Sequence, residues 1–198
     1  MADSKLFQNL EIEAFRAGIT PRTDQSRTWF RQKAQSLRRV NRRELMSSDE
    51  IKLVNKSQPL IGSMNMFFYD PKLKDKLPFF DRFPLVIISG PAPGGFYGMN
   101  LHYLPPILRA RFLGALMEFT NNDKFDDTTR FKARYDMINR VKTLKFFKPC
   151  YKHYLFPNVK SRLARVSPAE WEIATFLPTA QWEKASGKEV YKNSREMI

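Results

Sequence analysis

The side chains best placed by number and spacing to do chemistry are cations. Residues 22–43 hold eight Lys/Arg against one acid, and residues 130–165 hold eleven against one. These two segments carry net charges of +7 and +10, while the rest of the chain sums to −3, for a total of +14 over 198 residues. A cationic excess gathered this way favours an anionic partner, and nucleic acid is the simplest one. Arg27, Arg31, Arg38, Arg39, Arg42 and Arg43 share one arc of a helical wheel, where guanidinium groups can contact phosphates singly or in bidentate pairs. Lys142, Lys145, Lys148 and Lys152 interleave with Phe146, Phe147, Tyr151 and Tyr154. Ammonium groups there can neutralise a phosphate backbone, and Tyr151 and Tyr154 could stack on bases at an end or single strand. Phe146 and Phe147 read equally well as core residues. No helix-turn-helix, zinc-finger or RNP aromatic pattern is present, so backbone-dominated binding to double-stranded DNA is expected rather than sequence-specific readout.

Other chemistries find less support. The stretch GPAPGG (90–95) is rich in glycine, but no Lys-Ser/Thr pair and no helix follow it, as a phosphate loop requires. It reads as a turn between two antiparallel strands. Cys150, His153 and His102 fall short of the four ligands of a structural zinc site. Cys150 and His153 are three apart, with nothing nearby to orient them as a nucleophile pair. Asp70, Asp75 and Asp81 in one loop, and Asp123, Asp126 and Asp127 in another, could gather a magnesium ion for nuclease chemistry. Acids in such loops also serve turns and solvation. No catalytic residue, metal or cofactor is therefore expected. A single cysteine allows no internal disulfide, the first residues lack a signal-peptide pattern, and Leu85–Ile88 is far too short for a membrane span.

The elements that must position these groups read as follows. Residues 1–21 form an arm with a short helix near 4–17. Residues 23–46 lack Gly and Pro and predict one long helix, with Trp29, Phe30, Ala34, Leu37 and Val40 opposite the arginines. Only Lys33 intrudes on that apolar side. Ser47 and Glu50 have capping-box spacing, which predicts a helix over 48–56. Strands are expected near 65–69, 84–89 and 96–103, with Gly98 marking a bulge or a close backbone approach. Helices are expected near 106–119, 128–143 and 168–176, the last opened by Ser167, Pro168 and Glu170. Residues 187–198 read as a polar, loose tail. The order helices, small sheet, helices predicts an α+β class: a small antiparallel sheet covered by helices in one domain over 22–186.

Four stretches also carry a resemblance. FFYDPKLKDKLPFFDRFPLVI (67–87), GGFYGMNLHYLPP (94–106), KFFKPCYKHYL (145–155) and SPAEWEIATFLP (167–178) resemble a family of virion proteins of T4-like tailed phages, the DNA end protectors. The resemblance spans roughly residues 25–195. It implies a non-enzymatic protein that joins the termini of the packaged duplex, stays with the DNA during injection and shields it from host exonucleases. It implies a place in the virion and, during assembly and after injection, in the host cytoplasm. The alternative is a structural neck, head-completion or tail protein of the same virion. Its basic faces would then meet portal, neck or other protein partners.

Overall fold

The computed structural model describes residues 5–37, 39–47, 52–53, 60–120 and 126–196. The chain is α+β. Seven α-helices pack around a six-stranded and a two-stranded antiparallel sheet among the described residues. The helices are α1 (Leu6–Arg16), α2 (Asp24–Ser36), α3 (Arg42–Ser47), α4 (Pro106–Thr120), α5 (Asp127–Val141), α6 (Trp171–Phe176) and α7 (Gly187–Glu196). The strands are β1 (Lys52–Leu53), β2 (Met64–Met66), β3 (Phe80–Asp81), β4 (Leu85–Ala92), β5 (Gly95–Asn100), β6 (Tyr151–Leu155), β7 (Ala164–Val166) and β8 (Trp182–Glu183). The larger sheet runs β1-β7-β2-β4-β5-β6, and β3 pairs with β8.

Period-two alternation explains why the chain can bury both faces of the sheet. Leu85, Ile87 and Met99 enter the main core with Phe30, Phe112, Leu116 and Trp171. Val86, Ile88 and Phe96 point the other way, into an aromatic cluster with Phe67, Tyr69 and Tyr154. Rings there meet edge-on, Phe67 to Tyr154 at 5.3 Å and Tyr69 to Tyr154 at 4.9 Å. Such pairs contribute roughly 0.5–1.5 kcal/mol each beyond the area they bury.

The Gly-rich stretch is a hairpin. Ala92 pairs with Gly95, and the two residues between them are Pro93 and Gly94, the latter at φ +67°. The register slips between Ile88 and Gly90, a bulge opposite Gly98 and Tyr97. A Cβ at Gly98 would lie 2.3 Å from the Val86 side chain and 3.1 Å from the Ile87 carbonyl oxygen, so a neighbouring side chain crowds this glycine more closely than a backbone does.

Several expectations are corrected. The helix predicted over 23–46 is two helices. Thr23 caps α2, accepting from the backbone N–H of Ser26, and Leu37 leaves it in an extended conformation (φ −78°, ψ 110°). A straight helix of that length would run about 36 Å and carry its end past the core. The turn after Ser36 instead lets Val40 and Leu45 bury alongside Phe30 and Ala34. The helix predicted over 48–56 gives way at Lys52–Leu53, which pair with Arg165 and Ala164, and the rest of it lies outside the described residues. The strand predicted to reach 103 stops at Asn100, whose side chain accepts from His102 N–H and turns Leu101–Tyr103 into a 3-10 turn. The segment expected as a loose tail is α7, with Val190 fully buried. The short helix expected near 4–17 is present as α1, and its Phe7, Leu10 and Ala14 are buried in the main core.

Candidate nucleic-acid interface

Pro178 forbids any continuation of α6, and Leu177 leaves the helix (φ −56°, ψ 138°), so the carbonyls that follow are available as acceptors. Arg42, the first residue of α3, takes two of them: Nε donates to Thr179 O and Nη2 to Ala180 O, each at 2.7 Å. Burial draws the Arg42 guanidinium below its usual pKa, and nearby Asp81 pulls the other way.

Asp81, on β3, is 4% exposed. It accepts from Phe83 N–H at 3.0 Å, Gln181 N–H at 2.9 Å, Asn100 Nδ2 at 3.2 Å and His102 Nδ1 at 2.6 Å. Burial works against this carboxylate, but His102 and the backbone donors outweigh it and hold the pKa below the usual range. Burial keeps His102 below its ordinary value, against the pull of Asp81. The neutral imidazole then donates from Nδ1 to Asp81 and accepts at Nε2 from the Thr179 hydroxyl, 3.2 Å away. Carboxylate, imidazole and hydroxyl follow one another as in a nucleophilic triad. Here His102 and Thr179 have no exposed surface, so no substrate reaches the hydroxyl, and the three groups act as a strut. It ties β3 and the 3-10 turn to the segment that holds Arg42.

Above this strut lies a cleft of about 630 Å³. Arg42, Arg43, Arg82 and Lys160 supply its cations, and Val40 and Phe68 its apolar part. Glu183 pairs with Arg82 at 3.2 Å, and Lys160 Nζ donates to Pro157 O at 3.1 Å. A second groove, with Arg31, Leu37 and Tyr191 in its wall, adjoins the cleft: Ala180 lines the groove and Gln181 lines the cleft. A third, with Ile107, Phe146 and Arg195, shares Tyr191 with the second. The third groove includes Phe146, from the turn that carries Lys145 and Lys148.

The residues singled out from the sequence divide sharply. Arg39 and Arg43 are exposed, Arg42 and Arg31 line the grooves, and Arg38 lies outside the described residues. Arg27 turns inward instead: it pairs with Asp24, lies 3.8 Å from buried Glu172, and leaves its side chain 15% exposed. Lys145 and Lys148 are exposed on the 3-10 turn Lys145–Cys150. Lys142 donates to Asn139 Oδ1 at 2.7 Å and sits 5.8 Å from the Tyr151 ring centroid. Lys152 is half-buried, 4.2 Å over the Tyr103 ring, where burial lowers its pKa. Tyr151 stacks on Tyr97 at 5.5 Å and shares a hydrogen bond with Ser89. Tyr154 is a core residue, 4% exposed and enclosed by Phe67, Tyr69 and Phe96, so it offers no ring face to a base.

Arg82 and Lys160 complete the cleft and were not singled out. Arg82 is a lone cation between Asp81 and Phe83, and only the β3–β8 pairing places it. Lys160 belongs to the second basic segment, but only the chain's return after β6 brings it beside Arg43.

The acids and the lone thiol have other occupations. Asp70 pairs with Lys74 at 3.2 Å, and Asp126 caps α5 by accepting from Thr129 N–H at 2.7 Å. Among the described residues no group of three or more His, Cys, Asp or Glu side chains gathers to hold a metal. Cys150 is buried, which pushes its thiol up to about 12, whereas His153 is exposed and bonded to Pro93 O at 3.0 Å. No described helix is long and apolar enough to cross a membrane.

Neither a curated protein nor a solved structure matches the chain. A family model does, over residues 5–195, a span that runs from α1 into α7 and takes in all four cations of the cleft. That model describes the Phage T4 terminal DNA protecting protein, and the chain belongs to this family.

Proposed function

We propose that this chain seats itself on the ends of packaged double-stranded DNA and remains there through injection, barring host exonucleases from the terminus. It acts by occupying the end, with no bond made or broken, and it reads phosphates rather than bases. The cleft carries this reading: Arg42, Arg43, Arg82 and Lys160 converge on one concavity. Two carboxylates oppose them, Glu183 on Arg82 and Asp81 near Arg42. An excess of two positive charges is left for a ligand. An exonuclease must grip terminal nucleotides, so a protein seated on them excludes it. Such a role places the protein in the virion and then in the host cytoplasm.

The test is binding of blunt linear duplex against closed circular DNA across a salt series. If about six phosphates are engaged, log K falls with log salt at a slope near −5. Linear DNA binds more tightly than circles, and the bound ends resist a processive exonuclease. A flat salt dependence, or equal affinity for circles and ends, overturns the proposal.

Ile107 and Phe146, 57% and 54% exposed, favour a second role at the far groove, contact with another virion protein. If protein contact were the whole function, replacing Arg39, Arg42 and Arg43 with Glu would stop virion assembly. The isolated protein's affinity for DNA would be negligible throughout.

A further inference from the structure

We infer that the cleft between Arg42, Arg43, Arg82 and Lys160 is a pocket for a terminal phosphomonoester, the phosphate on the last nucleotide of a cut duplex. The inference rests on the end-binding reading and names the group that makes an end different from the duplex interior. Three observations carry it.

Charge comes first. Four cations and two nearby carboxylates leave an excess of two. A phosphomonoester carries about −1.5 to −2 at neutral pH and offers three acceptor oxygens. An internal phosphodiester carries a single charge and leaves half of that excess unmatched.

Shape comes second. A concavity of about 630 Å³ falls within the usual range for small-molecule sites, roughly 300–1,000 Å³. It has room for a phosphate with its nucleoside. Phosphates inside a duplex lie along a convex ridge and meet such a cleft only at its rim. Phe68, which lines it beside Val40, is half-buried and tilted against Phe83 at 4.8 Å. It gives a displaced terminal sugar or base a fixed apolar wall.

Preorganisation comes third. Nε and Nη2 of Arg42 are spent on two backbone carbonyls, which leaves the Nη1 edge of its fork as donor and fixes the guanidinium in place. Arg43 and Lys160 are exposed around it; Lys160 Nζ spends one N–H on Pro157 O and keeps two donors for an incoming anion.

The experiment uses the full chain and short duplexes with one terminus closed by a hairpin. The open terminus carries a 5′-phosphate, a 3′-phosphate or hydroxyls only, and a duplex closed at both termini completes the set. At fixed salt, a phosphorylated terminus binds about tenfold or more tightly than a hydroxyl terminus, and the 5′ and 3′ arms show which strand end is held. Arg43→Ala with Lys160→Ala removes that difference, so that phosphorylated and hydroxyl termini bind alike. Neither side chain supports the core, and an unchanged unfolding midpoint checks this. Equal binding of phosphate and hydroxyl termini, both tighter than the closed duplex, overturns the pocket and leaves end binding standing. Equal binding of open and closed duplexes overturns both.

Discussion

His102 shows how much one buried side chain can govern. It reaches Asp81 and Thr179 at once and is held neutral by burial, with its pKa below the usual 6.5. The sign of its linkage follows. Between the unfolded value and the lower native one, the unfolded chain binds a proton that the native state refuses, so stability falls as pH falls. One proton of difference is worth about 1.4 kcal/mol per pH unit. Asp81, also held low, acts in the same direction further into acid. Glu172 acts in the opposite direction just above its usual 4.5, because burial raises its pKa and the native state takes the proton first. The clean window therefore lies near pH 6.5 and just below. The urea midpoint, followed by tryptophan fluorescence, is expected to hold steady from pH 8 to 7 and to fall below about 6.5. His102→Asn flattens that fall. A parallel pH dependence in wild type and variant would show that the strut does not govern it.

Strands impose their own chemistry, and glycine marks where they touch. A Cβ added to Gly95 would lie 1.8 Å from the Tyr154 carbonyl oxygen, so β6 can pair with β5 only across a residue without a side chain. Gly90, in the neighbouring strand, has nothing within 4 Å of a built Cβ. Gly95→Ala is expected to cost about 2–4 kcal/mol of unfolding free energy, because backbone must move, and Gly90→Ala less than about 0.5. Denaturant midpoints of the two variants check this, and equal losses would refute it. The same strands explain what could be read from the sequence. The β4–β5 hairpin was legible because Pro93-Gly94 and the apolar alternation are local signals. β1, β3 and β8 have two residues each and exist only through partners distant in the chain. β6 hid among lysines and aromatics. Its register sets Tyr154 opposite Phe96 and Lys152 opposite Gly98, which withdraws both from solvent. The break after Ser36 carries no Gly or Pro and answers to the core. For the site, clustering exposed Arg42 and Arg43, while Arg82 and Lys160 stand beside them only after tertiary folding.

At the scale of the molecule, the question is whether two basic segments serve one ligand. They meet in the cleft, where Lys160 of the second segment stands with Arg42 and Arg43 of the first. The second groove has Ala180 in its wall next to Gln181 of the cleft, and Tyr191 lines both the second groove and the third. On the proposed end-binding reading, a duplex held by its end in the cleft would bring later phosphates to Lys145 and Lys148. The two regions would then have separable jobs on that reading: the cleft choosing the terminus, and the distant lysines adding affinity that is blind to ends. Lys145→Glu with Lys148→Glu should reduce the salt slope by about 2, close to 0.9 for each lost phosphate contact, and shorten the protected length of duplex. Preference for an end over a closed circle should survive. Arg43→Glu with Lys160→Glu should abolish that preference. Filter binding across salt, paired with exonuclease footprinting from one labelled end, reads both effects. If the Lys145 and Lys148 changes leave slope and footprint untouched, the DNA does not reach that turn, which is then free for the protein contact suggested by Phe146 and Ile107.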